Sequence, residues 1–103
     1  MAAGTLGSQK RAVDAAATIS RVFPHLPAAV IQVSGVYPDR VNISLHDDLA
    51  DFEAWRAALG ILPEWVGQSG LTDTSQSLTG TGRFAGVEVV LTGYAPLLQA
   101  VAL

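Results

Sequence analysis

The sequence predicts an α+β fold in which helices pack on one face of a four-stranded, mainly antiparallel sheet. Some stretches place apolar residues at every second position, as half-buried strands do, and others place them every three to four positions, as amphipathic helices do. These stretches follow one another in the order helix, hairpin, helix, hairpin, before a short apolar tail. Because consecutive strands usually pair with each other, two antiparallel hairpins in one sheet are the simplest arrangement.

The first helix is predicted to follow a flexible N-terminal segment, Met1–Gly7. Ser8 is a natural helix cap, and apolar residues recur on one face from there to Phe23. Pro24 ends the helix because proline restricts the preceding residue and lacks an N–H donor. The remaining residues, 8–103, are expected to form a single domain, as is usual for a chain of 103 residues.

A β-hairpin is predicted next. Ala29–Val36 and Val41–His46 both alternate between apolar and polar residues. Tyr37–Arg40 lies between them and contains a proline and an aspartate, which are typical turn residues.

The second helix is predicted between Asp48 and Gly60. Either Asp47 or Asp48 can cap it, and Gly60 is a typical left-handed stop. Glu53 and Arg56 have the spacing of an exposed ion pair. The expected inward-facing residues are Leu49, Phe52, either Trp55 or Arg56, and Leu59.

The stretch after this helix has weaker patterns. Ile61–Val66 is apolar without a clear period, and we expect Trp65 to fold back over the sheet edge or the helix end. Gly67–Ser77 is rich in small and polar residues, which predicts a surface loop.

The second hairpin is predicted from Ser77–Phe84 and Val87–Thr92, joined by a short turn at Ala85–Gly86. Glycines at alternate positions of the first strand permit a bulge or the close approach of another backbone. Gly93–Pro96 is expected to break the second strand, and Leu97–Leu103 forms an almost purely apolar tail.

The composition argues against several classes of partner. The chain has six basic and nine acidic residues and a net charge of −3, and its basic residues are scattered along the sequence. Direct binding to nucleic acid or to an anionic membrane depends on clustered positive charge, so we expect neither. Half of the residues are hydrophobic and only 15% are charged, which favours coverage of apolar surface by a partner or a second copy.

The residue types also limit the chemistry and the location. Cysteine is absent, which excludes disulfides and thiolate catalysis, and two histidines are too few for a typical histidine-built zinc site. We therefore predict no metal and no cofactor. The N-terminus does not resemble a secretory signal, and no apolar run approaches the roughly 20 residues of a membrane-spanning helix. The expected location is cytoplasmic.

Two sets of residues are candidate sites. His46, Asp47 and Asp48 bring an imidazole and two carboxylates to a strand-to-helix junction, where they have the chemistry to hold a metal or position a proton. The same aspartates are also explained by helix capping alone. The second set consists of apolar residues expected to contact a partner: Trp65, Val90, Leu97, Leu98 and Val101. Trp65 has a second interpretation, as a cover for the domain's own core.

The phrases DLADFEAWRAALG and GVEVVLTGY, together with the alanine-rich, lysine-poor composition, give the chain a resemblance to a group of small proteins. It resembles uncharacterised accessory proteins encoded by actinobacteria and their phages. The resemblance implies an intracellular accessory protein and assigns no functional residue.

Two functional hypotheses follow. The leading one is a non-catalytic interaction or scaffold module that forms a homodimer or is a subunit of a larger assembly. The alternative is a small-molecule-binding domain or enzyme with a pocket between sheet and helices near His46, Asp47 and Asp48. The absence of any recognisable catalytic motif favours the first.

We predict that the protein does not bind duplex DNA on its own, because its basic residues are few and dispersed. Fluorescence anisotropy with a random duplex at about 150 mM salt should show no micromolar binding, since non-specific binders lie near or below that affinity. Micromolar binding under these conditions would contradict the prediction.

Overall fold

The computed structural model describes residues 4–46, 48–71 and 75–96. Within these residues it confirms an α+β fold, with two α-helices and a five-stranded mixed sheet. The helices and strands are α1 (Lys10–Val22), β1 (Val30–Gln32), β2 (Arg40–Leu45), α2 (Leu49–Leu59), β3 (Val66–Leu71), β4 (Ser75–Phe84) and β5 (Val87–Pro96). Short 3-10 helices span Leu6–Gln9 and Pro63–Trp65.

The sheet differs from the predicted one in strand number and in pairing. Its order is β1-β2-β5-β4-β3, and β2 and β5 lie side by side in parallel while the other neighbours are antiparallel. The prediction of four strands was wrong, because the stretch expected to be a surface loop contributes β3. Pairing with β4, rather than an apolar pattern of its own, makes this glycine-rich segment a strand.

Several boundaries also differ. The first predicted strand is shorter than expected, since only Val30–Gln32 pairs with β2. The expected break at Gly93–Pro96 was wrong, because β5 continues through these residues in register with β4. Ser8 does not cap α1: it belongs to the preceding 3-10 helix, where its backbone N–H donates to Thr5 Oγ1 at 3.3 Å.

The core lies between one face of the sheet and both helices. The predicted alternation is confirmed, because every second residue of β2 and the first half of β5 is buried on this inner face. The alanines of α1 let that helix lie close to the sheet. The buried residues are Ala12, Ala15 and Ile19 of α1, Val41, Ile43 and Leu45 of β2, Phe52 and Trp55 of α2, Ile61, and Val87, Val89 and Leu91 of β5.

Helix α2 has the predicted ends and a defined inward face. The carboxylate of Asp48 accepts a hydrogen bond from the N–H of Ala50 at 2.8 Å, and Gly60 has a left-handed conformation with φ of 71°. Trp55, and not Arg56, is the inward residue: it is 4% exposed, and its indole N–H donates to the Pro27 carbonyl oxygen at 2.8 Å.

The predicted pair on the outer side of α2 also forms. Arg56 Nη2 lies 2.6 Å from Glu53 Oε1. This hydrogen bond holds the pKa of Glu53 below its ordinary value. Arg56 Nη1 also donates a hydrogen bond to the carbonyl oxygen of Ile61 at 2.7 Å. This bond connects Ile61 to the last turn of α2.

Three glycines on the inner face leave space for two large side chains, Phe52 of α2 and Ile61, which follows Gly60 at the end of the helix. A Cβ at Gly93 would lie 2.8 Å from the ring of Phe52, and a Cβ at Gly82 would lie 2.8 Å from Ile61 Cγ1. At Gly80 it would approach Val66 and Ile61 at 3.0 and 3.2 Å. The predicted close approach of another backbone was wrong, because side chains fill the space that a Cβ would occupy at these glycines.

We predict that Gly93→Ala lowers the free energy of unfolding by about 1–3 kcal/mol, because the added methyl group overpacks the core against Phe52. Urea denaturation measures the change. Gly67→Ala is the matched control: Gly67 also lies in a strand, with no atom within 4 Å of an added Cβ. A loss no larger at Gly93 than at Gly67 would contradict this account of the inner face.

Candidate interaction surface

The face of the sheet opposite the core is not packed against either helix. Successive side chains of a strand point to opposite faces, so the residues between the buried positions of β2 and β5 all point away from the helices. We call this surface the open face. Its side chains are Val30 and Gln32 of β1, Arg40, Asn42 and Ser44 of β2, Thr79, Thr81 and Arg83 of β4, and Glu88, Val90, Thr92 and Tyr94 of β5.

The middle of the open face is free of charged residues. Val90 lies in the central strand, directly between Asn42 of β2 and Thr81 of β4. This confirms that Val90 stands on the otherwise polar face of β5. Next to it, the hydroxyl oxygens of Thr79 and Thr92 are 3.5 Å apart. This part of the surface thus consists of short, uncharged side chains with a valine among them.

Charged residues lie at one end of the open face. Arg40 Nε is 2.6 Å from Glu88 Oε1, with both side chains about one-third exposed. Arg83 lies next to this pair, because β4 and β5 place it directly opposite Glu88. The charges are therefore confined to the rim formed by the start of β2 and β5.

An aromatic pair lies at the opposite end. The rings of His46 and Tyr94 stack with their centroids 4.9 Å apart and their planes 9° from parallel. His46 follows the last residue of β2, and Tyr94 occupies an outward position on β5. His46 therefore contacts the open face, rather than a pocket between sheet and helices.

The second member of the predicted polar site, Asp48, has a structural role. Its carboxylate caps α2, as described above. Asp47 lies outside the described residues. Among the residues that the structure does describe, no group of three histidine, aspartate or glutamate side chains is arranged to hold a metal ion.

Trp65 lies at the β4 side of the open face. It belongs to the 3-10 helix before β3 and is 54% exposed, so it does not cover the core. Since pairing between β3 and β4 begins at Val66 and Gly80, Trp65 adjoins the part of β4 that has no β3 partner. There it lines a hollow that three residues of the open face share. The hollow is lined by Leu59, Gly60, Trp65, Thr81, Gly82, Arg83 and Glu88.

The other predicted contact residues, Leu97, Leu98 and Val101, lie outside the described residues. They follow β5 in the sequence, and the structure describes β5 as far as Pro96. β5 is the middle strand of the sheet and carries Val90. The apolar segment thus follows directly from the strand at the centre of the open face.

Sequence reasoning did not identify the polar residues of the open face as one surface. The alternation in each strand did indicate that Asn42, Ser44 and Thr92 point away from the core. Their proximity depends on the parallel pairing of β2 with β5, which brings distant segments together and has no local sequence signal.

Comparison with known proteins gives no relative for this chain: no family model, curated protein or solved structure matches it. In the described part of the chain, neither helix combines the length and the apolar character needed to cross a bilayer.

We predict that His46→Ala changes the free energy of unfolding by less than about 1 kcal/mol, because His46 is exposed and its stacking on Tyr94 is a surface contact. Phe52→Ala should cost about 3–5 kcal/mol, since this ring is 2% exposed in the core. Thermal or urea denaturation of both variants measures the difference. Equal stability of the two variants would contradict the assignment of the core.

Proposed function

We propose that the protein is a non-catalytic interaction module that forms a homodimer through the open face of its sheet. The observation that carries the proposal is the uncharged, hydroxyl-rich surface that extends from Val90 to Thr92 and their neighbours on β2 and β4, on which neither helix packs. The resemblance to actinobacterial and actinophage accessory proteins supports an accessory role within a larger intracellular assembly.

The charge distribution favours a second copy as the occupant. In a two-fold dimer, the same patch of both subunits meets itself, so an unpaired charge near the axis would face an identical charge. The neighbours of Val90 across the sheet, Asn42 and Thr81, and the next residue toward Tyr94, Thr92, carry no charge, which keeps charge repulsion to the row that contains Glu88. At the rim, Arg40 and Glu88 already neutralise each other within one subunit.

The chemistry of the face suits sheet-on-sheet packing. Two stacked sheets lie about 10 Å apart, a distance that short side chains such as threonine, serine and valine can fill. Buried hydroxyl groups need hydrogen-bond partners, and Thr79 and Thr92 are near enough to serve each other. Asn42 and Ser44 have donors and acceptors for contacts with the second copy, which would fix its orientation.

The open face alone is smaller than a standard interface, so we expect the segment after Pro96 to add to the dimer contact. Five strands about 4.8 Å apart and about six residues long form a surface about 20 Å on each side, or about 400 Å² in projection. A standard interface buries about 800 Å² of accessible surface per partner. Leu97, Leu98, Val101 and Leu103 follow directly after β5 and supply further apolar surface. Covering about 600 Å² of apolar surface contributes about 15 kcal/mol before association costs.

We expect light scattering coupled to size exclusion to give twice the 10.7 kDa chain mass at tens of micromolar protein. Val90→Lys should shift the protein to monomer, because two buried lysines would meet near the two-fold axis. A chain ending at Pro96 should dimerise more weakly, because it lacks the apolar segment.

Val13→Lys is the matched control for this experiment. Val13 is also a valine in a regular element, but it is 46% exposed on α1, on the other side of the molecule. It should leave the dimer intact. A monomeric native chain would overturn the proposal, and a dimer that persists in Val90→Lys would exclude the open face as its interface. A dimer of unchanged affinity after truncation would remove the tail from the interface. Circular dichroism verifies that each variant is folded.

A further inference from the structure

Three of the six basic residues of the chain meet in one cleft. Arg11 comes from α1, Arg40 from the start of β2 and Arg83 from the end of β4. The cleft has a volume of about 480 Å³ and lies at the end of the sheet that carries the β4–β5 turn. The fold thus creates a basic cluster from residues that are far apart in the sequence.

Arg40 is held by partners within the protein. It forms the ion pair with Glu88, and its guanidinium carbon lies 4.1 Å from the centre of the Tyr37 ring. A carboxylate and an aromatic face therefore both stabilise its positive charge. Arg40 needs no further anion.

Arg11 and Arg83 are in a different situation, because they share one neutral acceptor. The carbonyl oxygen of Gly86 accepts a hydrogen bond from Arg11 Nη2 at 3.3 Å and one from Arg83 Nη2 at 2.7 Å. Within the described residues, neither arginine takes part in an ion pair. Two like charges are thus brought to the same oxygen atom, and neither has a described carboxylate within ion-pair distance, which is unfavourable.

Most of the hydrogen-bonding capacity of these two arginines is unused. A guanidinium carries five N–H donors, and among the described residues each of these side chains has one hydrogen bond, the bond to Gly86. Both side chains are exposed and line the cleft, so the remaining donors are available to a ligand. Their arrangement matches an oxyanion, which accepts parallel hydrogen bonds from such groups.

We propose that Arg11 and Arg83 bind the phosphate group of a small phosphorylated molecule. A phosphate monoester carries nearly two negative charges at neutral pH, so it balances both arginines, whereas a carboxylate balances only one. Asp39 and Glu88 also line the cleft. Glu88 is neutralised by Arg40, and the carboxylates repel an extended polyanion such as nucleic acid more than one compact phosphate group that contacts only the two arginines.

The cleft also offers a surface for the rest of such a molecule. Tyr37 is 53% exposed although Arg40 covers part of its ring, and Val36 is 76% exposed. Both residues line the cleft with the arginines. A planar or apolar group next to the phosphate would pack against them, which gives affinity beyond that of inorganic phosphate.

Titration of the labelled full chain with phenyl phosphate, followed by NMR, tests the proposal. We expect saturable shifts at the amides of Arg11, Arg83 and Gly86, with a dissociation constant on the order of 1 mM for so small a ligand. Inorganic phosphate should bind more weakly because it lacks the ring. Phenyl sulfate, a monoanion of the same shape, should bind about tenfold more weakly because it balances only one arginine.

Arg11→Gln and Arg83→Gln should each weaken phenyl phosphate binding about tenfold or more, the effect of losing one charge-assisted contact. Arg21→Gln is the matched control, because Arg21 is an exposed arginine on the same helix as Arg11, and within the described part of the chain its side chain has no ion pair and one hydrogen bond, to Thr18. It should not change the affinity. Thermal melting verifies the fold of each variant, and phenyl phosphate should raise the Tm of the native chain but not of Arg83→Gln.

Three results would overturn the proposal. The first is the absence of saturable shifts up to about 20 mM phenyl phosphate, well above the expected dissociation constant. The second is binding of phenyl phosphate that is unchanged in Arg11→Gln and Arg83→Gln, or equalled by phenyl sulfate. The third is tighter binding of a short DNA duplex that depends on the same two arginines, because the ligand would then be nucleic acid.

Discussion

The fold depends on how Phe52 and Ile61 pack against the inner face of the sheet. Gly93 lies under the ring of Phe52, while Gly80 and Gly82 lie under Ile61. Side chains at these three positions would hold α2 away from β4 and β5. The glycines sacrifice strand stability, as glycine usually does, but they allow two large side chains to be buried almost completely. The left-handed conformation of Gly60 then turns the chain so that Ile61 points back to the sheet directly after the helix.

The buried residues of the inner face could be predicted from the sequence, because they follow the local periodicity of each segment. Val41, Ile43 and Leu45 stand at alternate positions, and Phe52 and Trp55 stand three residues apart on the helix. The spacing within each segment therefore predicts which of its faces is buried. The neighbours of each strand were not readable, since pairing is a contact between distant segments. The parallel contact between β2 and β5 joins Arg40 to Glu88, and nothing near either residue indicates it. β3 was missed for a related reason: its register comes from β4, and its own residues are typical of loops.

Among the surface features, too, those that depend on one segment were predicted and those that depend on several segments were not. The outward position of Val90 follows from alternation in one strand and was predicted. The uncharged area around it needs three strands in the correct order. The arginine cleft depends on contacts among more elements, because it forms where α1 lies next to the β4–β5 turn. Both residues of that turn, Ala85 and Gly86, have positive φ. Along the sequence Arg11, Arg40 and Arg83 are far apart. They become a cluster only when the turn brings the carbonyl oxygen of Gly86 between two of them.

The central position of β5 also has a consequence for the order in which the protein can fold during its synthesis. The ribosome makes both helices and the β1–β2 hairpin before it makes β5, which separates β2 from β4 in the finished sheet. Until β5 emerges, one edge of β2 has no neighbour, and the apolar residues of β2 and α2 have no complete surface to cover them. Such intermediates expose strand edges and hydrophobic side chains, which are the features that promote aggregation. The nascent chain would therefore depend on rapid insertion of β5, or on a chaperone that shields β2 until that strand is available.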